Sequence, residues 1–256
     1  MIEDSASSPA AGHSHMAAQD PPTDHCWAPR TILLTTIDEL DQRARPHHGG
    51  TAPAREKRYA ASTLRAGCNL AEVEWLVAHP SPNAGELAAQ LVPHLAAPHL
   101  PVVMELLRTL ANDKNWEVRE WAAEGIATTL DGQIAATRTS QLAKLLGDAN
   151  PFILRAGIVA SGYLADRLTC DEALRILSLL FDHDLEPNRY VRKSLFPFAI
   201  GSYFVSAHPE CVITTIKARL STADSNQITS WGLIGRAKAA HALPELLAIL
   251  DDAKHH

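Results

Sequence analysis

Three apolar-Arg steps at one interval constrain this chain more than any other feature. Val118-Arg119, Leu154-Arg155 and Val191-Arg192 place their arginines 36 and then 37 residues apart. A period of this length fits a pair of helices, and one such pair cannot bury its apolar face alone, so the repeat predicts stacked units. An Asp-x-Asn frame recurs independently at Asp113/Asn115, Asp148/Asn150 and Asp224/Asn226, with Pro187-Asn188 marking the unit between the last two. In the first unit Asp113 and Asn115 both suit a helix cap, and Val118, Ala122 and Ile126 follow as an apolar stripe. That is a helix with one buried face.

From Ala54 onward Gly and Pro fall mainly at junctions and no period-2 alternation is sustained, so the chain reads as all-α. Helix pairs are expected at 55–66 with 70–78, 83–95 with 101–110, the 113–130 helix with 140–146, and 152–164 with 171–181. Further pairs are expected at 188–205 with 209–220, and at 228–239 with 243–250. A short helix from Thr31 to Arg45 and a loop marked by Pro46, Gly49-Gly50 and Pro53 precede them. Residues 1–30 are rich in Ala, Ser, Pro, Asp and His with little apolar periodicity, and are expected to be a disordered tail before an α-solenoid of residues 31–256. His13, His15, His25 and His47-His48 do not make a metal site there, because a mobile segment lacks fixed ligand geometry.

A chain of 256 residues with 46% hydrophobic content has ample apolar material for a stacked core. Cys26, Cys68, Cys170 and Cys211 lie far apart with no Cys-x-x-Cys spacing, which suggests neither a disulfide framework nor zinc and fits a reducing cytoplasm. No run reads as a membrane span and Glu3 and Asp4 stand where a signal peptide carries positive charge, so a cytoplasmic monomer is expected. The net charge of −6 means that any nucleic-acid contact needs Lys and Arg gathered on one face.

Helical pairs of this length stack into a superhelix with a concave surface. The residues resemble the HEAT repeat, whose Asp-x4-Val-Arg hallmark stands at Asp113/Val118-Arg119 and, with Glu for Asp, at Glu186/Val191-Arg192. Asp148 and Arg155 are one residue further apart. Physically the carboxylate would cap the helix and the arginine would reach a neighbouring repeat, which makes Arg119, Arg155 and Arg192 scaffold residues. At about 100° per residue, Trp116, Glu120 and Ala127 fall opposite Val118. One repeat on, the same row holds Phe152, Ala156 and Tyr163, and the next holds Arg189 and Lys193. Phe152 and Tyr163 are therefore candidate concave-face aromatics, the alternative being that Trp116 and Phe152 pack against the preceding pair.

Residues 113–220, with an NWEVREWAA opening and an NRYVRKS…HPE…V close, resemble the DNA alkylation repair family built from HEAT-like repeats, the alkylpurine DNA glycosylases and their relatives. That resemblance implies duplex DNA on the concave face. In catalytic members an Asp flanked by Trp stabilises the cationic sugar as an alkylated base leaves, which needs a carboxylate near C1′ and π-faces over the charge. Carried onto this chain, the Trp-x3-Asp element becomes Trp116-x3-Glu120, the candidate catalytic pair, with Glu in place of Asp. A second tryptophan would fall near Phe196 or Pro197, where no indole stands. Arg155 matches a phosphate-approaching arginine, and Arg189 and Lys193 are further phosphate candidates.

Asp182-His183-Asp184 reads as a solvated cap rather than a metal site, and Pro197 must disturb the helix that contains it, with Gly201 adding slack. No phosphate loop, nucleophile elbow or His-Glu-x-x-His motif occurs, and no cofactor is implied. Two readings follow: a duplex DNA-binding protein with at most weak base excision, or a non-catalytic scaffold for a protein partner or small ligand. The placement of Glu117, Glu120 and Glu124 relative to the basic row separates them.

Overall fold

In a computed structural model describing residues 30–46 and 49–252, helices are stacked in two layers. The readings of residues 1–29 as a tail and of His47-His48 as non-ligands lie outside the described residues. After α1 (Arg30–Gln42), one layer holds α2 (Ala54–Leu64), α4 (Pro82–Leu91), α6 (Trp116–Asp131), α8 (Pro151–Leu164) and α10 (Arg189–Lys193). A π-helical stretch, Ser194–Phe204, continues α10 into α11 (Val205–Ala207). The other layer holds α3 (Leu70–Ala78), α5 (Ala96–Ala111), α7 (Ala135–Leu146), α9 (Cys170–Phe181) and α12 (Pro209–Leu220). The expected pair at 228–239 and 243–250 is realised as α13 (Ser225–Trp231), two short 3-10 turns and α14 (Pro244–Asp252).

Rungs of the first layer pack far more closely than those of the second, so the stack curves with the first layer inside. Small residues permit that approach. A side chain on Gly125 of α6 would begin 2.6 Å from the Ala89 carbonyl oxygen of α4, and one on Gly162 of α8 would begin 3.2 Å from Ala199 Cα. Ala127 and Ala156, expected to face outward, are only 6% and 1% exposed. This corrects the helical-wheel reading, because an inner helix touches both its outer-layer partner and its neighbours along the stack.

The repeat frame works through a local relay. Asp113, Asp148 and Glu186 each accept the backbone N–H of the Asn two residues on, at 2.6, 2.8 and 3.0 Å, and Asn115, Asn150 and Asn188 cap the inner helices. The carboxylate thus holds the cap rather than being the cap. Asp224 differs: it caps α13 itself, in a capping box with Gln227. Of Asp182-His183-Asp184, Asp182 is the exposed C-cap of α9, but Asp184 is buried and accepts from Gln227 at 2.8 Å and Trp231 Nε1 at 3.3 Å.

Pro197 is met by widening: Ser194–Phe204 is π-helical, with the Val205 N–H on the Ile200 carbonyl and Ser202 Oγ donating to Pro197 O at 2.8 Å. Pro82–Ala111 is the one described stretch long and apolar enough to cross a membrane by length and composition, with a mean hydropathy of 1.2 over its most apolar 18 residues. Here it forms α4, a 3-10 turn and α5, broken at His99, and its apolar side chains fill the core between the layers.

Candidate functional site on the inner layer

Three acidic residues on α6 decide the electrostatics of the inner surface, and each is matched to a cation. Glu117 accepts from Thr51 Oγ1 at 2.6 Å and from Lys57 Nζ at 3.1 Å, inside a buried cluster in which Lys57 also pairs with Glu86. Burial pushes the Glu86 carboxyl up to about 7, against the pull of Lys57 and with a push from Glu117. One lysine between two carboxylates leaves that compartment a proton short of neutral. Glu124 pairs with Arg58 at 3.1 Å, and the Arg58 guanidinium lies over the Trp121 ring at 5.1 Å.

Glu120 accepts from Arg155 Nη2 at 2.5 Å, linking α6 to α8, and the Arg155 guanidinium lies 4.3 Å from the Tyr190 ring centre on α10. The Arg155 side chain is only 11% exposed. Arg155 therefore joins three successive rungs, with Nη2 turned to Glu120. Arg119 folds back on the Asp113 and Lys114 carbonyls at 2.7 and 3.1 Å and spreads over Phe152 at 4.5 Å. Phe152 in turn meets Tyr190 edge-on at 6.3 Å.

Trp116 is 47% exposed and its indole lies against Gly49, whose positive φ of 64° carries the loop over the start of α6. Asn115 Nδ2 holds that loop by donating to Gly49 O at 2.8 Å. Trp116 and Glu120 share a face of α6, but the carboxylate is engaged by Arg155. At the position expected for a second tryptophan, Phe196 is wholly buried against Phe181. Tyr163 is half-buried in an edge-on cluster with Phe198 and Tyr203, at 5.8 and 5.6 Å. Burial, then Tyr203, Glu120 and Glu124, push its phenol up to about 12, so it stays a hydrogen-bond donor.

Further along the stack the balance reverses. Arg189, Arg192, Lys193 and Arg236 line one pocket of about 360 Å³ with Pro197, Thr229, Ser230 and Leu233. None of the four cations forms an ion pair with a described carboxylate. Arg189 and Lys193 are one helical turn apart on α10, and Arg236 reaches the same space from the 3-10 turn after α13. The structure thus gathers two of the sequence-chosen phosphate candidates and separates them from Arg155. Arg192, read from the hallmark as scaffold, lines the pocket instead, and Arg236 lay outside any motif. Its only sequence signal is a basic residue in the repeat after the Arg189-to-Lys193 run.

These features define an α-solenoid of HEAT-like repeats whose inner layer is neutralised at one end and cationic at the other. A family model described as HEAT repeat matches residues 103–131, which hold most of α5 and all of α6. Among solved structures the fold matches that of AlkD2 from Streptococcus mutans, with a TM-score of 0.65 and 14% identity over 81% of this chain and 97% of that chain. Two designed armadillo repeat proteins, one in complex with a (KR)4 peptide, match at 18% identity over 90% of this chain and 95% and 96% of theirs, with TM-scores of 0.36. No curated protein sequence matches the chain.

Proposed function

We propose that the chain binds duplex DNA through its inner layer, with Arg189, Arg192, Lys193 and Arg236 on the phosphate backbone. The observation that carries this reading is the pocket of four cations with no carboxylate partner among the described residues. Unpaired cations crowded together repel one another, and a polyanion that displaces their counterions relieves that repulsion. The resemblance of residues 113–220 to the HEAT-like DNA alkylation repair family, and the fold shared with AlkD2, support the choice of DNA.

The same geometry argues against efficient base release. A glycosylase carboxylate must be available to a cationic sugar, whereas Glu120 is already paired with Arg155, and the residue expected to supply a second ring, Phe196, is buried. In this reading Arg155 positions Glu120 and Tyr190 rather than gripping phosphate, and Tyr163 offers a neutral donor and a ring edge to whatever lies along the groove.

Fluorescence anisotropy with plain and N-alkylated duplexes tests the proposal. Binding that weakens as salt rises, and is lost in Arg189→Ala/Lys193→Ala, is expected, with little release of the alkylated base. Absence of duplex binding even at low salt would sink it and redirect the cationic pocket to an acidic protein partner.

A further inference from the structure

Cys170, His208 and Cys211 are separated by 38 and 3 residues in the sequence, yet one ligand atom from each lies within 4.8 Å of the others. Cys170 opens α9, while His208 caps α12, the next helix of the outer layer, and Cys211 lies in its first turn. Cys211 is buried, Cys170 is exposed and His208 is half-buried, so the cluster is closed on one side and reachable from the other. The His208 ring is already oriented: its Nε2 lies 2.8 Å from the Ala165 carbonyl, which can only accept, so Nε2 carries the proton and Nδ1 keeps its lone pair. A backbone carbonyl on one ring nitrogen is a usual way to fix a histidine that ligates through the other.

We propose that Cys170, His208 and Cys211 form a zinc site that clamps α9 to α12. Two sulfurs and an imidazole are the donors a borderline-soft ion such as Zn²⁺ selects over Mg²⁺ or Ca²⁺. Tetrahedral bonds of about 2.3 Å to sulfur and 2.0 Å to nitrogen place ligand atoms roughly 3.5–3.8 Å apart, so the 4.8 Å cluster needs to contract by about 1.3 Å at most. Three protein ligands leave the fourth position to water. Both cysteines sit in the first turn of a helix, so their side chains project from adjacent helix starts of the outer layer. Thiol ligands bind zinc as thiolates, so uptake releases up to two protons per ion. Cys68 does not compete, because burial and Glu72 push its thiol up to about 12.

Titration of the reduced full chain with Co²⁺ is the test, followed by displacement with Zn²⁺. One equivalent should produce a sulfur-to-cobalt charge-transfer band, zinc should abolish it, and saturating zinc should raise the melting temperature by roughly 5–10 °C. Histidines elsewhere in the chain cannot give the sulfur band. Cys170→Ser, at an exposed position, should lose most of the band without loss of fold, and His208→Gln should weaken binding at least 10-fold. Should Cys211→Ser fail to fold, the Cys170 and His208 variants carry the test. No band from the reduced protein, a band that persists in Cys170→Ser, or formation of a Cys170–Cys211 disulfide with no metal uptake would each overturn the site.

Discussion

The inner layer holds its charges differently at its two ends. Toward α2, Lys57 meets Glu86 and Glu117, Arg58 meets Glu124, and Arg155 meets Glu120, so cation and carboxylate are spent on joining one rung to the next. Toward α13, Arg189, Arg192, Lys193 and Arg236 share one pocket with no described carboxylate among its walls. The number of cations is similar in the two regions. Pairing is what separates them: the first group joins helices, and the second, without a described carboxylate partner, is the surface proposed for an anion. Net charge alone does not exclude such a surface, because it says nothing about which charges are already answered.

If that distinction is right, the largest effect on stability should come from the paired end. Lys57→Ala leaves Glu86 and Glu117 facing each other in the core and should cost about 3–5 kcal/mol in chemical denaturation. The same cluster sets a pH dependence. A carboxyl held above its unfolded value favours the protonated folded form, so the Glu86 contribution is full below the ordinary carboxylate range and declines as pH rises through about 7. Melting temperature should fall between pH 5 and pH 8, and Glu86→Gln should flatten that part of the profile.

Next in size is the unpaired end. Arg189→Ala/Lys193→Ala/Arg236→Ala should weaken duplex binding on the order of 100-fold at low salt while leaving the denaturation midpoint nearly unchanged. An equal loss of stability would erase the contrast between the regions. Arg155→Ala should do the reverse, costing about 2 kcal/mol through removal of the Glu120 bond and of the packing on Tyr190, with duplex affinity within roughly 3-fold of wild type. The smallest effect belongs to Arg58→Ala. Its pair with Glu124 is exposed on both sides, and its removal should cost no more than about 1 kcal/mol in the same denaturation experiment.

Much of the architecture could be read from residues at fixed spacing. The 36- and 37-residue steps between Arg119, Arg155 and Arg192 correctly implied stacked helix pairs, and the Asp-x-Asn frame located helix starts at Trp116 and Pro151. Local chemistry was legible because capping acts over two or three residues. What failed needed knowledge across repeats. Ala127 and Ala156 are buried by neighbours that no helical wheel includes. Asp184 is buried because Gln227 and Trp231, more than forty residues on, supply its donors. Arg155 and Glu120 were chosen for separate roles and turn out to bind each other, which only the packing of α6 on α8 could reveal. The Cys170, His208 and Cys211 cluster escaped for the same reason, since zinc spacing was sought within one segment and its ligands come from two.

The most direct test of the central claim is the salt dependence of duplex affinity for Arg189→Ala/Lys193→Ala beside Arg155→Ala. The account predicts that the double variant lowers the slope of log affinity against log salt by about 2, one for each phosphate that is no longer neutralised, while Arg155→Ala leaves the slope of the wild type. Equal slopes for the wild type and the double variant, or a reduced slope for Arg155→Ala alone, would contradict it.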